Sequence, residues 1–270
     1  HVCAPETLAP EIKKGDPRQF GRHLETLRAR LAEQAHQTGL TELPDYHPDR
    51  LRVMVGSPPT EILALAGGVK AEVVVIGAVE GGVVHHELLG ATACEVIRKA
   101  PCPVLLARSA SVFPPERVEI PVDFSPISAH ALRQGLDLLA GAGGVPPRTE
   151  VLFALSPIEV ESSLQFTSEQ LKRMAAKELD RFLALSPPSQ VPLRQQVVVD
   201  HPRSAILSAL EDRQVDLVIL GTHGRGGFKR LVLGSIALEV ARHARCNVLV
   251  VPPRHAPLRP AKEREREMQA

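Results

Sequence analysis

Hydrophobic positions in the second half of the chain fall into short continuous runs that alternate with longer amphipathic segments. Arg117 to Asp123, RVEIPVD, reads as a short buried strand, and Ser125 offers an N-cap for an apolar-periodic helix over Ile127 to Ala140. Gly141, Gly143 and Gly144 stop that helix. Thr149 to Leu155 predicts a second strand, Thr167 to Leu185 a helix capped by Thr167 with Glu169 in its first turn, and Leu193 to Val199 a third strand. Helix, strand, helix and strand follow at Arg203 to Asp212, Val215 to Gly221, Gly234 to Ala244 and Asn247 to Val251. Strands separated by helices imply right-handed crossovers, hence an α/β chain with a parallel, doubly wound sheet.

The first half repeats this pattern. Val53 to Ala107 lies on Val197 to Val251 without a gap, with about eighteen of fifty-five positions identical. Pro58 matches Pro202, Gly77 matches Gly221, Leu89-Gly90 matches Leu233-Gly234, and Cys102 matches Cys246. Chance similarity between apolar segments predicts neither the register nor the coincident glycines, so the chain is a tandem duplication. Residues 1–108 form the first domain, 109–116 a linker with two prolines, 117–253 the second domain and 254–270 a charged tail. The first copy begins abruptly, because His1-Val2-Cys3-Ala4-Pro5 resembles the end of the second strand, Phe153 to Pro157. Nothing corresponds to Arg117 through Glu150. A strand near the middle of a parallel sheet cannot be dropped without stranding backbone groups, so a piece of the natural chain is expected to be absent from this sequence. The expected fold is two tandem doubly wound parallel five-stranded sheets, the first lacking its first strand and helix.

Composition narrows the function. With 270 residues, 44% hydrophobic and 23% charged, two compact globular domains are expected. No apolar stretch reaches the roughly 18 residues of a membrane span. The 32 basic and 31 acidic residues nearly cancel, and aromatics are 3% with no Trp. Neither broad attraction to nucleic acid nor base stacking is favoured, so no nucleic-acid or membrane partner is expected. Cys3, Cys94, Cys102 and Cys246 form no C-x-x-C pair, and no signal peptide is visible, which points to a reduced, cytoplasmic setting.

In an open parallel sheet, ligands bind beyond the carboxyl ends of the strands, where strand order reverses. Two motifs fall there. Pro121-Val122-Asp123-Phe124-Ser125 ends the first strand of the second copy, and Gly221 to Ser235, GTHGRGGFKRLVLGS, runs from the fourth strand into the last helix, whose first turn continues with Ile236. Glycines admit close approach of backbone amides, and Gly234-Ser235 opens a helix whose free amides and dipole favour an anion. A phosphate chain suits that chemistry. Tight turns and helix packing are the alternative use of the glycines, and helix capping is the alternative use of Asp123.

Gly221, Gly224, Gly234 and Ser235 fit the spacing G-x2-G-x9-G-[ST], and with Asp123 they resemble the universal stress protein family in its tandem-domain form, over nearly all of His1 to Pro253. The resemblance implies strand order 3-2-1-4-5, self-association through the fifth strands, and ATP, or AMP or ADP, bound with Mg2+ or Mn2+. It implies that Asp123 meets the nucleoside, Ala154 adenine, Gly221 the ribose, and Gly224, Gly234 and Ser235 the phosphates. The candidate cofactor-binding set is Pro121, Val122, Asp123, Ala154, Gly221, His223, Gly224, Arg225, Gly234, Ser235 and Ile236. His223 reads equally as a phosphate contact or a surface imidazole, and Arg225, Lys229 and Arg230 equally as anion attractors or a solvated loop. No residue is assigned a catalytic or metal-ligating role.

The first copy departs from the signature. Gly77 and Gly90 remain, but Glu80 replaces the second glycine and Ala91 the serine. A carboxylate where phosphate should lie is repulsive, so nucleotide binding is expected in the second domain alone. Walker A needs a Gly-Lys pair that the loop lacks, the spacing G-x-G-x-x-G fails, and His85-His86-Glu87 lacks the second histidine of a zinc helix. The expected function is an ATP-binding stress-response regulator. Its partners are adenine nucleotide, its own second half as an intrachain pseudo-dimer open to homo-oligomerisation, and an unidentified protein. A slow ATPase or phosphotransferase is one alternative and a nucleotide-independent scaffold the other.

Overall fold

The computed structural model describes residues 2–3, 17–42, 46–77, 89–108, 114–141, 144–163, 165–186, 189, 191–224 and 234–253. Its elements are β1 (Val2–Cys3), α1 (Pro17–Gln37), β2 (Met54–Val55), α2 (Pro58–Gly68), β3 (Val74–Gly77), α3 (Ala91–Lys99), β4 (Val104–Ala107), β5 (Arg117–Val122), α4 (Pro126–Gly141), β6 (Arg148–Leu155), α5 (Pro157–Glu161), α6 (Ser168–Ala184), β7 (Leu193–Val199), α7 (Pro202–Asp212), β8 (Leu217–Gly221), α8 (Ser235–His243) and β9 (Asn247–Val251). The repeat is carried into the backbone, since α2 and α7, and likewise α3 and α8, begin and end at matching residues. Thr167 caps α6 reciprocally with Gln170: its hydroxyl accepts from the Gln170 N–H at 3.3 Å, and Gln170 Oε1 accepts from the Thr167 N–H at 2.8 Å. The short helix α5 was not expected. Pro157 starts it, and Glu159 Oε2 accepts from the Ser156 N–H at 3.3 Å.

The chain divides into two compact units, residues 1–68 and 69–270. In the first, β1 and β2 pair in parallel, Val2 opposite Met54 and Cys3 opposite Val55. The second holds a seven-stranded sheet in the order β3-β4-β9-β8-β5-β6-β7. Its second-copy strands run 3-2-1-4-5, as the resemblance implied. The two last strands pair antiparallel, Val104 opposite Val250, Leu105 opposite Leu249 and Leu106 opposite Val248. These two fifth strands therefore fuse what would be separate sheet edges into one sheet.

The first-copy strands form two separate pairs, β1 with β2 and β3 with β4. In the second copy, β5 pairs with both β6 and β8 and so joins the two halves of its sheet. The compact units cut across the repeat, and β3 and β4 belong to the second copy's sheet.

Strands buried on both faces explain the apolar runs. Ala131, Leu132, Leu136 and Leu139 of α4 and Ala175, Leu179 and Phe182 of α6 share one core with Val118, Ile120, Val151, Phe153, Leu217 and Ile219. Cys102 and Cys246 are buried, and burial pushes the Cys246 thiol up to about 12. Each serves as a small apolar filler.

Candidate functional site

The ladder between β5 and β6 continues to Val122 opposite Phe153, whereas the one between β5 and β8 stops at Glu119 opposite Val218. Sequence explains the difference. The Arg117 carbonyl accepts from the Asp216 N–H at 2.9 Å, on the β8 side of β5. Alternation along the strand then turns Glu119 and Pro121 to that side as well, and Pro121 has no N–H to donate. Strands β5 and β8 thus part at their carboxyl ends, at the position where strand order reverses. A cleft there is where an open parallel sheet takes a ligand.

Asp123 directly follows the carboxyl end of β5. Its Oδ1 accepts from the Ser125 N–H at 3.0 Å, and its own N–H donates to Ser128 Oγ at 3.4 Å. Between them, Phe124 has φ 62, a left-handed backbone uncommon for an aromatic residue, and its ring stacks on Phe153 with centroids 4.3 Å apart. Such strain persists where packing over-determines it, and here it turns the chain sharply from β5 into α4. Ser125 caps α4 as expected, its Oγ accepting from the Ser128 N–H at 3.1 Å. No feature of the sequence signalled the backbone of Phe124.

The three glycines of the signature are each pressed against a different neighbour. A Cβ on Gly221 would lie 2.5 Å from Ile127 Cγ2 and 3.3 Å from the Ile127 carbonyl oxygen. Gly221 therefore lets the first turn of α4 pack on β8. A Cβ on Gly224 would lie 2.8 Å from Asp123 Oδ2, and one on Gly234 would lie 2.9 Å from the Thr222 carbonyl oxygen. Thr222, which the sequence reading did not single out, is buried and anchors the loop at both ends: its N–H donates to the Val251 carbonyl at 3.0 Å and its carbonyl accepts from the Gly234 N–H at 2.6 Å.

Gly234 is the N-cap of α8 and, among the described residues, no side chain caps that helix. The amides of Ser235, Ile236 and Ala237 are the ones a helix start leaves without intrahelical acceptors. Ser235 and Ile236 are exposed. His223 is half-buried, with Nδ1 2.8 Å from Thr222 Oγ1; its Nε2 is buried and without a hydrogen-bond partner among the described residues. Val122 and half-buried Pro121 and Ala154 lie at the carboxyl ends of β5 and β6. Arg225, Lys229 and Arg230 lie outside the described residues, as does Glu80 of the first copy. The structure thus brings Asp123 to Gly224, and Thr222 and His223 to Gly234.

The universal stress protein family model matches residues 1–108 and again 115–252. The chain belongs to the universal stress protein family. Among its relatives, a universal stress protein of Mycobacterium tuberculosis is 30% identical over 67% of this chain. The chain spans 62% of that relative's length. A second from the same organism is 27% identical over 92% of this chain and 82% of its own. Among solved structures, a universal stress protein from Archaeoglobus fulgidus matches 94% of this chain and 86% of its own at TM-score 0.58 and 16% identity. One from Pseudomonas aeruginosa matches 94% and 92% at TM-score 0.59 and 18% identity. A universal stress protein in complex with cAMP and one from Arabidopsis thaliana with AMP bound match 51% and 54% of this chain, each at TM-score 0.37 and with identities of 21% and 18%.

Within this universal stress protein the two copies differ sterically as well as in sequence. Gly90 caps α3 with φ −58 and ψ 151, close to Gly234 at φ −58 and ψ 144. A Cβ on Gly77, however, would meet nothing within 4 Å among the described residues, unlike one on its counterpart Gly221. Among the described residues no helix is long and apolar enough to cross a membrane.

Proposed function

We propose that the second copy binds ATP in the cleft between the carboxyl ends of β5 and β8 and acts as a nucleotide-responsive regulator rather than an efficient enzyme. One observation carries this reading: the signature glycines stand where side chains would collide, Gly224 against Asp123 and Gly234 against Thr222, beside a helix start with no side-chain cap. Amides of Ser235, Ile236 and Ala237 suit phosphate oxygens through hydrogen bonding and the helix dipole. Asp123, across from Gly224, is suited to a ribose hydroxyl, and the backbone of Ala154, near the carboxyl end of β6, is suited to adenine, as the family resemblance implies. Mg2+ or Mn2+ would be held chiefly by the phosphate oxygens, as Mg2+ usually is at nucleotide sites. Regulation then comes from whatever difference in ATP affinity exists between two states of the protein, since a ligand shifts an equilibrium by no more than that difference. A cytoplasmic location fits this role.

Calorimetric titration of the full chain with ATP and Mg2+ tests the reading. Saturable binding that disappears in Gly224→Val, with the circular dichroism spectrum retained, supports it. Binding unchanged in that variant overturns it.

A further inference from the structure

At the opposite end of the same sheet lies a charged cluster that the nucleotide reading does not use. The ladder sets Arg117 opposite Arg148, Glu119 opposite Glu150, and Glu150 opposite Arg194, so five charged residues of β5, β6 and β7 share one sheet face near the strands' amino ends. Arg213, the C-cap of α7, joins them: its Nη1 donates to Glu119 Oε2 at 2.9 Å and to Glu150 Oε2 at 2.6 Å. These six residues and Val118 and Val215 line a cavity of about 170 Å3. Glu119 is 1% exposed, and its Oε1 has no hydrogen-bond partner among the described residues. A buried carboxylate oxygen without a donor is costly, and four guanidinium groups against two carboxylates leave the cavity cationic. A cation is therefore the wrong guest.

We propose that this cavity is a second anion site, which takes inorganic phosphate. Arg148 and Arg194 supply charge-assisted donors to the phosphate oxygens, and the phosphate's own hydroxyl donates to Glu119 Oε1. A volume below the roughly 300 Å3 of small-molecule pockets suits a single tetrahedral oxyanion. Glu119 also selects among oxyanions. Hydrogenphosphate carries an O–H for the carboxylate; sulfate carries none and meets Glu119 as a bare repulsion. The charged groups that act on Glu119 are Arg213 from α7 and Glu150 from β6; Arg148, Arg194 and Arg117 line the same cavity, the Arg117 Nη1 donating to the Arg213 carbonyl at 3.2 Å and to Gln214 Oε1 at 3.1 Å.

Equilibrium dialysis of the full chain against labelled orthophosphate at about pH 8, where Glu119 is ionised, reads the proposal. Gly234→Val removes the proposed nucleotide site as a competing phosphate binder and should retain one equivalent of phosphate. Arg148→Ala with Arg194→Ala, both exposed, should weaken uptake at least tenfold while leaving the thermal transition in place. Sulfate should compete at least tenfold less well than phosphate, and Glu119→Gln, whose amide donates to either ion, should erase that preference. Unchanged uptake in the double arginine variant overturns the proposal, as does sulfate competing as well as phosphate, or no uptake at millimolar phosphate. Uptake lost in Gly234→Val alone, in folded protein, would move the phosphate to the other end of the sheet and overturn it equally.

Discussion

The carboxylate of Asp123 occupies the space in front of Gly224, its Oδ2 2.8 Å from where a Cβ would stand. Asp123 arrives there from the end of β5, held by the left-handed turn at Phe124, while Gly224 lies three residues beyond the end of β8. The pair thus joins the segments that follow the carboxyl ends of β5 and β8. Gly224→Val displaces the carboxylate rather than the backbone, so the expected loss of ATP affinity is at least about a hundredfold, about 3 kcal/mol, with stability changed by less than about 1 kcal/mol. Calorimetry and urea unfolding of the same samples check both. Gly234→Val presses on the Thr222 backbone instead and should reduce stability more.

Occupancy should be one ATP per chain. Glu80 and Ala91 replace two of the four signature residues in the first copy, and a Cβ on Gly77 would meet nothing within 4 Å among the described residues. Native mass spectrometry in the presence of ATP and Mg2+ should show a single nucleotide adduct per chain; two equal adducts would contradict this.

Burial pushes the Glu119 carboxyl up to about 7, reinforced by Glu150 and opposed by Arg213. A folded-state value above the ordinary 4.5 means that the folded protein binds more protons than the unfolded chain between these two values. Ionising Glu119 therefore costs stability, fully so above about pH 7, and the cost is relieved as pH falls towards 4.5. The span corresponds to about 3 kcal/mol. Urea unfolding across that range should show wild type gaining stability on acidification relative to Glu119→Gln, which lacks the titrating group. Parallel profiles for the two proteins would rule this out.

The junction of β4 with β9 should be a main source of stability in the seven-stranded sheet. Leu106 is fully buried in β4, opposite Val248 of β9. Leu106→Ala should lower the unfolding free energy by about 2–5 kcal/mol, whereas Leu185→Ala, at a position 82% exposed, should stay within about 0.5 kcal/mol of wild type. Chemical denaturation of the two variants measures the contrast.

ATP hydrolysis should fall far below the typical enzyme rate of about 10 per second. Among the described residues of the loop from Gly221 to Ser235, His223 is the candidate base, and its Nδ1 is engaged with Thr222 Oγ1. Following ADP in purified protein with Mg2+ checks this. Turnover near the typical rate that His223→Ala abolishes would make the protein an enzyme.

Much of this molecule follows from local pattern. The alternation of apolar runs with amphipathic segments sufficed for every strand and long helix of the second copy, because strands buried on both faces and helices with one buried stripe leave periods that need no tertiary knowledge to read. Resemblance to the family's signature marked Gly221, Gly224, Gly234 and Ser235, and the gapless repeat foretold matching bounds for α2 and α7. Tertiary structure decided what no local window contains. Arg117, Glu119, Arg148, Glu150, Arg194 and Arg213 are scattered over four elements and converge only because parallel register sets β5, β6 and β7 side by side. The seven-stranded sheet depends on two edges meeting antiparallel. Contacts between distant residues arise from the pairing of whole strands, and each strand's own sequence records which of its faces is apolar but not which neighbour will cover it.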